Sequence, residues 1–349
     1  MSIALSEPQD IFATLSQRGN ERTGKFISQL WPCQAPGFFS KDSVNAIASY
    51  WRKELCFERK EQHSISSFDD LKALATIIND NPGLEKLQLI QAVRLQLPNL
   101  KDDDSTLMNS IELAARLFLM IKIPPVRAHS VDNPVPWPGD MSLATVLKSW
   151  FPHTPPPQTS KKYGRILNVY NLERMGGFKI QPTDNLVQHL MFEENVIYLF
   201  CHVSVLRHMR ECVSPDLLSF SFFDETLETL SLLFPRSDTN CARWLREQQK
   251  NHFIDSALSD LELAKRNISC YSFWRERLDI LEEEFTESEP RTLFQWWFDR
   301  RKRVQWYTFW VAILVLALTI FLGAAQTATG VIQAWASIQS MKSANQAKS

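Results

Sequence analysis

The longest run of apolar residues lies toward the carboxyl end of the chain. Residues Tyr307 to Ala325 form a stretch of 19 residues without a charged side chain. As an α-helix this stretch would be about 28 Å long, which matches the roughly 30 Å hydrocarbon core of a bilayer. A buried helix of a soluble protein rarely continues so far without a charge. The pattern therefore predicts one transmembrane helix over 307–325.

Aromatic and basic residues precede this run, as is typical of a membrane interface. Eight large apolar residues are assigned to the core of the span: Val311, Ile313, Leu314, Leu316, Leu318, Ile320, Phe321 and Leu322. Eight further residues are predicted to lie at the interface, with the basic ones contacting anionic lipid: Trp296, Trp297, Arg300, Arg301, Lys302, Arg303, Trp306 and Trp310.

The distribution of basic residues predicts the orientation. Four basic residues, 300–303, come directly before the span, whereas only Lys342 and Lys348 follow it. Because basic residues concentrate on the cytosolic side, we expect a large cytosolic amino-terminal domain and a short tail across the membrane, in the manner of a tail anchor. The sequence does not indicate which membrane contains the span. The sequon Asn267-Ile268-Ser269 should then carry no glycan, since glycosylation occurs only in the lumen.

The chain beyond the span leaves two alternatives open. We expect the span to end near Gly323 or Ala325, and Val331, Ile332, Trp335 and Ile338 then form an apolar stripe at helical spacing. This stripe indicates either an interfacial helix on the far leaflet or the continuation of one long, tilted helix.

Three small residues within and beyond the span have the spacing of a helix-pairing motif. Thr319, Gly323 and Thr327 follow a small-x-x-x-small pattern, which lets two helices approach closely. The pattern indicates either a homo-oligomer formed through these residues or the ordinary abundance of small residues in membrane spans.

Most of the remaining chain has helical periodicity. Asp69 and Asp70 precede apolar residues that share one helix face. Asp104 and Ser105 are predicted to cap a helix that continues to Ile121, and the acidic run 102–104 is interpreted as a helix start rather than a metal site. From Phe273 to Phe285 the apolar residues again form a stripe.

One segment has the pattern of strands. Ile166–Tyr170 is predicted to be a strand, Met175–Gly177 a turn and Phe178–Ile180 a returning strand. Val196–Phe200 is either another short strand or a buried helical turn. These residues predict a small β-hairpin element.

Together these patterns predict a mainly α protein: a helical cytosolic domain with a small β-hairpin element, followed by a single carboxyl-terminal transmembrane helix. Nine of the 18 prolines lie within 124–157 and mark the main break in organisation, although its tryptophans indicate some packing. The predicted parts are an N-terminal helical region (1–123), a Pro-rich connection (124–162), an α-rich domain with the β element (163–288), a basic and aromatic juxtamembrane helix (289–306), the transmembrane helix (307–325) and a short tail (326–349).

Net charge and cysteine content argue against some classes of protein. The formal net charge is −1, which argues against a nucleic-acid-binding protein, since such proteins normally carry a basic surface. The six cysteines form no C-x-x-C pair, and residues 1–10 lack the features of a secretory signal. We therefore expect reduced, mostly buried thiols.

Two patterns resemble ligand sites, but each has a simpler interpretation. Residues 19–26 approach a phosphate-binding loop, but Phe26 replaces the hydroxyl that would bind Mg²⁺. Cys201, His208 and Cys212 share a helix face, as zinc ligands can, although buried structural residues fit the spacing better. We assign no catalytic, cofactor or metal residue, and the sequence favours a non-enzymatic protein.

Several stretches resemble an uncharacterised family of filamentous fungi. They are Ser110–Leu117, Asn171–Arg174 with Gly177-Phe178, Tyr271–Leu278, Trp296–Arg301 and Val304–Trp310. The resemblance begins near residue 60 and implies a helical cytosolic domain with one carboxyl-terminal span, but no activity. The span is also distantly similar to the last helices of CorA-type channels, which have two spans and a Gly-Met-Asn signature that this chain lacks.

Three functions compete at this point. The first is a membrane-tethered interaction or scaffold protein whose cytosolic domain binds a protein partner and whose span contacts the lipid bilayer. The second is an oligomeric membrane-active or CorA-like channel protein, although one uncharged helix offers no polar pore lining. The third is a membrane-anchored enzyme or accessory factor in fungal metabolism, which requires a polar-lined pocket.

Overall fold

The computed structural model describes residues 21–31, 41–57, 63–100, 103–123, 134–251, 254–288 and 303–346. The chain divides into two compact units, Met1–Ser288 and Glu289–Ser349.

The described residues are mainly helical, which confirms the predicted fold class. The globular unit contains eleven α-helices in these residues: α1 (Glu21–Leu30), α2 (Lys41–Phe57), α3 (Phe68–Asp80), α4 (Lys86–Gln96), α5 (Asp104–Leu119), α6 (Leu143–Trp150), α7 (Val169–Arg174), α8 (Val203–Cys212), α9 (Phe220–Leu233), α10 (Thr239–Asn251) and α11 (Arg275–Glu287). Its three strands are β1 (Lys179–Thr183), β2 (Phe192–Glu193) and β3 (Val196–Phe200), and short 3-10 helices lie at Leu186–Gln188, Ser256–Asp260 and Ile268–Cys270.

Helix α5 lies at the centre of the globular unit. Every residue from Ser110 to Leu119 is buried. The last carbonyl groups of a helix have no partner within it, and burial would leave them without water. Here Tyr50 Oη donates a hydrogen bond to the Arg116 carbonyl, and the indoles of Trp51 and Trp31 donate to the next two carbonyls along the chain. Aromatic side chains of α2 and of the residue after α1 therefore supply the hydrogen-bond donors that the carbonyl groups at the end of α5 need.

The start of α5 corrects one detail of the prediction. Its N-cap is Asp103 rather than Asp104 or Ser105, and the Asp103 carboxylate accepts a hydrogen bond from the Ser105 backbone N–H. Hydrogen bonds from the Ser105 and Thr106 hydroxyls lower the pKa of Asp103 to about 2. The described part of the acidic run thus serves as a helix start.

The predicted strand Ile166–Tyr170 is wrong. The Asn168 side chain accepts a hydrogen bond from the backbone N–H of Asn171, 2.9 Å away, and so caps helix α7. The β-branched and aromatic composition of this stretch favoured a strand, but an Asn at the N-cap position satisfies a helix start.

The hairpin element differs in part from the prediction: Val196–Phe200 is a strand, β3, which confirms one of its two predicted alternatives, but it does not pair with a strand at Ile166–Tyr170. β2 and β3 pair antiparallel, and Glu194 and Asn195 form the turn between them with φ values of 47° and 68°. β1, which covers part of the predicted returning strand, pairs in parallel with β3, so the order is β1-β3-β2. A parallel neighbour needs a crossover connection, which local sequence patterns do not reveal.

The described part of the proline-rich segment is held against the globular unit. Trp137 is buried, and its indole donates to the Met141 carbonyl just before α6. Lys86 donates to the Trp137 carbonyl and pairs with the buried Glu112 of α5. Phe151, at the end of α6, contacts the ring of Phe222 at 4.7 Å between centroids.

The second unit contains one helix in its described residues, α12 (Arg303–Gln346). Its 44 residues correspond to roughly 66 Å of helix. The helix continues through Gly323 and Ala325 without interruption, which agrees with the long-helix alternative for the tail. The predicted interface residues Trp296, Trp297, Arg300, Arg301 and Lys302 lie outside the described residues, and Arg303 is the first residue of α12.

Candidate functional site

The carboxyl-terminal helix is the clearest functional feature of the chain. Within α12, Trp306–Ser340 is a stretch of 35 residues that is long and apolar enough to cross a membrane, and its most apolar window has no residue buried in the protein. Seven of the eight predicted core residues are exposed, between 51% for Leu318 and 69% for Phe321. Ile313 is half-buried.

Three threonine hydroxyls of α12 are bonded within the helix. The hydroxyls of Thr308, Thr319 and Thr327 each donate to the carbonyl four residues earlier, at 2.8 to 2.9 Å. In a bilayer core, where water is absent, backbone and hydroxyl groups must be paired within the protein. The backbone of α12 and these three hydroxyls meet this condition by hydrogen bonds within the helix.

Aromatic rings cluster near the amino-terminal end of α12. The rings of Trp306 and Trp310, both predicted at the interface, lie 6.2 Å apart, and Tyr307 contacts Trp306 edge-on at 5.1 Å. Amphipathic rings of this kind favour the headgroup region.

The small-x-x-x-small motif forms an open strip on α12. Thr319, Gly323 and Thr327 succeed one another by four residues, and no atom lies within 4 Å of the position that a Cβ at Gly323 would occupy. Since both threonine hydroxyls are bonded within the helix, the strip presents small, largely apolar surface.

Three ionisable side chains of the globular unit, Asp255, Asp184 and His189, form hydrogen bonds that connect separate elements of the fold. Asp255 accepts hydrogen bonds from the Ser43 and Ser204 hydroxyls and from the backbone N–H groups of Ser204 and Ala257, at 2.6 to 3.1 Å. It therefore joins α2, α8 and the 3-10 helix at Ser256–Asp260.

Asp184 lies between two basic side chains. His202 Nε2 is 2.9 Å from one carboxylate oxygen, and Lys53 Nζ is 3.0 Å from the other. Burial raises the pKa of Asp184, but the hydrogen bond and charge of His202, together with Lys53, outweigh burial and lower this pKa to about 2. The pair ties α2 to the segment between β1 and the following 3-10 helix.

His189 is fully buried and neutral. Its Nδ1 accepts a hydrogen bond from the Phe200 backbone N–H at 3.2 Å, so the ring proton is on Nε2, which donates to Thr229 Oγ1 at 2.7 Å. Burial, together with the positive charge of Arg277, lowers the pKa of His189 to about 3.

The described residues of the two ligand-like sequence patterns have structural roles. Gly24 lies within helix α1, so the described part of the phosphate-loop pattern is helical. His208 Nδ1 is 2.6 Å from the Ser204 carbonyl oxygen, and burial raises the pKa of the Cys201 thiol. Among the described residues, no group of three or more His, Cys, Asp and Glu side chains could hold a metal ion.

One polar cavity of about 450 Å³, which we name the arginine cavity, has no counterpart among the sequence motifs. Its arginines are far apart in the chain, so only the fold brings them together. The lining includes Arg165, Arg236, Ser237, Asp238, Thr239, Glu262 and Arg266.

No protein-family model, curated protein or solved structure matches this chain. The resemblance to the filamentous-fungal family therefore stays a prediction.

The environment of His189 predicts a pH dependence of stability. The unfolded chain binds a proton at this imidazole near pH 6.5, whereas the folded chain does so only near pH 3. The free energy of unfolding should therefore decrease by up to about 1.4 kcal/mol per pH unit below pH 6.5 through this group alone. Because the unfolded imidazole titrates gradually around pH 6.5, His189→Gln should remove about 0.7 kcal/mol of the loss in unfolding free energy between pH 7 and 6 and about 1.2 kcal/mol of the loss between pH 6 and 5, as measured by denaturant unfolding.

Thr229→Val is the matched control, because it removes the hydrogen-bond partner and keeps the imidazole. It should lower stability at every pH and keep the wild-type slope. Equal slopes for His189→Gln and the wild type would contradict the assignment.

Proposed function

We propose that this chain is a single-pass membrane protein whose globular unit is a cytosolic interaction or scaffold module. The observation that carries the proposal is the apolar helix Trp306–Ser340, whose large side chains are exposed rather than packed in a core.

The free energy of transferring these exposed side chains from water to an apolar phase supports a lipid environment for the helix. Transfer of a large aliphatic or aromatic side chain from water to an apolar phase gains roughly 1.5–3 kcal/mol. For the seven exposed core residues, which are 51–69% accessible, this amounts to roughly 6–13 kcal/mol, which is comparable to the whole stability of a typical domain. Water is therefore a poor solvent for α12 alone.

The globular unit supports a binding role more than acid–base chemistry. Asp255, His189 and Asp184 are each held by hydrogen bonds that join separate elements of the fold. Side chains that are bonded in this way stabilise the fold. In our proposal, a cytosolic protein partner contacts the surface of the globular unit.

The charge pattern supports the orientation. The basic cluster 300–303 comes before the apolar stretch, and no charged residue follows until Lys342. In our proposal these basic side chains contact anionic lipid on the cytosolic face, at about 1 kcal/mol per charge.

Charged substitutions in the span test insertion. Leu316→Asp combined with Leu318→Asp should cost about 2.5–3.5 kcal/mol per site, because each carboxylate would lie near the bilayer centre. After alkaline extraction of membranes and ultracentrifugation, the wild type should sediment and the double variant should stay in the supernatant.

Gln333→Asp combined with Gln339→Asp is the matched control, since it adds the same charges to α12 beyond 307–325 and should sediment like the wild type. A wild-type protein recovered without detergent as a soluble monomer would refute insertion.

Paired glycosylation sites test the orientation. Asn267 is exposed, so its sequon would be modified if the globular unit were in the lumen. The substitution Ala347→Thr completes a second sequon at Asn345, in the tail. In microsomes, we expect a glycosidase-sensitive mass shift only from the Asn345 sequon.

Replacing all four residues 300–303 by Glu should weaken or invert this result, because the positive-inside signal is lost. A glycan on Asn267 in the wild type would mean that the orientation is reversed.

We also propose that α12 pairs with a second copy through Thr319, Gly323 and Thr327. A large side chain at the central position would hold two helices apart, so Gly323→Ile should reduce association in vesicles about tenfold. Förster transfer between labelled copies measures this association. Ala325→Ile, which adds the same side chain on the opposite face, should leave transfer unchanged; equal transfer in Gly323→Ile would refute pairing through this motif.

A further inference from the structure

The arginine cavity is built from three separate parts of the globular unit. Arg165 precedes α7, Arg236 lies in the connection between α9 and α10, and Arg266 follows the 3-10 helix at Ser256–Asp260. Its volume of about 450 Å³ falls within the range of small-molecule sites, roughly 300–1,000 Å³.

Among the three arginines, Arg266 is held in place by hydrogen bonds to the backbone. Its guanidinium donates to the Gly164 carbonyl at 2.5 Å and to the Leu232 carbonyl at 3.3 Å. Both acceptors are neutral, so they orient the cation without compensating its charge. Burial lowers the pKa of Arg266, and the nearby positive charge of Arg165 also lowers it. The cavity therefore holds two cations that repel each other.

The lining contains three arginines and two carboxylates, Asp238 and Glu262, so it carries one net positive charge, and the carboxylates do not pair directly with the arginines. Asp238 accepts hydrogen bonds from the backbone N–H groups of Asn240 and Cys241 with one oxygen and from the Asn168 side chain with the other. These hydrogen bonds hold the Asp238 carboxylate at the start of α10. In the described part of the chain, none of the three arginines forms an ion pair with Glu262 or with any other carboxylate.

Hydroxyl donors complete the lining. Ser237 and Thr239 line the cavity at the start of α10, a helix of 13 residues. Within the described residues neither hydroxyl makes a hydrogen bond. Guanidinium groups bind phosphate oxygens through two parallel hydrogen bonds, and hydroxyl groups can donate further hydrogen bonds to the same oxygens.

We propose that the arginine cavity is a binding site for a phosphate-bearing ligand, contacted by Arg165, Arg236 and Arg266 and by the hydroxyls of Ser237 and Thr239. The ligand is a small molecule with at least two phosphate groups, or the headgroup of a lipid with the same chemistry. This site is independent of the membrane span and of the protein partner proposed above.

The test uses the full chain in nanodiscs of phosphatidylcholine. Pyrophosphate and soluble inositol trisphosphate are titrated against it by calorimetry, and binding to vesicles that contain phosphatidylinositol bisphosphate is measured by co-flotation. Arg165→Gln combined with Arg236→Gln should weaken binding at least about tenfold, because each substitution removes a charge-assisted hydrogen bond. Both side chains are exposed, so the variant should keep the wild-type melting temperature.

Arg243→Gln is the matched control, since it removes an exposed arginine of α10 that does not line the cavity. Binding of a soluble probe that the double variant loses and the control keeps supports the site with a free phosphate ligand. The same contrast seen only with the lipid vesicles supports it with a headgroup ligand. No binding of any probe to the wild type, or equal binding by the double variant, would overturn the proposal.

Discussion

Backbone polar groups need partners wherever water is absent, and both units of this protein are organised by that constraint. In the globular unit it applies to the end of α5, where Tyr50, Trp51 and Trp31 donate to three consecutive buried carbonyl groups. Unpaired, each of these carbonyls would cost about 1–3 kcal/mol. The aromatic residues therefore both fill the core and satisfy the helix end, which fixes α1 and α2 against α5.

The same constraint explains the form of the second unit. An apolar segment can enter a bilayer only if its backbone is paired within itself, and a continuous helix achieves this. α12 extends the pairing to its threonine hydroxyls. In the globular unit, by contrast, hydrogen bonds join distant parts of the chain, as Asp255 joins α2 to α8.

The sequence predicted what depends on local periodicity. The helices after Asp69 and before Phe285, and the apolar carboxyl-terminal segment, have repeats that only a helix satisfies. The strand at Ile166–Tyr170 was wrong because Asn168 as an N-cap outweighed the strand propensity of its neighbours. The parallel pairing of β1 with β3 and the meeting of Arg165, Arg236 and Arg266 depend on contacts between distant residues. A single sequence carries no pattern for such contacts, so the arginine cavity could not be predicted.

The uninterrupted length of α12 has a consequence for where the protein resides in the cell. From Val304 to Met341 the helix has no charged side chain that would fix its depth on the far side. Thin and thick bilayers therefore accommodate it at similar cost, through different tilts and different lengths of emerging helix. For the proposed anchor, membrane thickness, which sorts many single-pass proteins among organelles, is a weak sorting signal, so a targeting signal would have to lie outside α12.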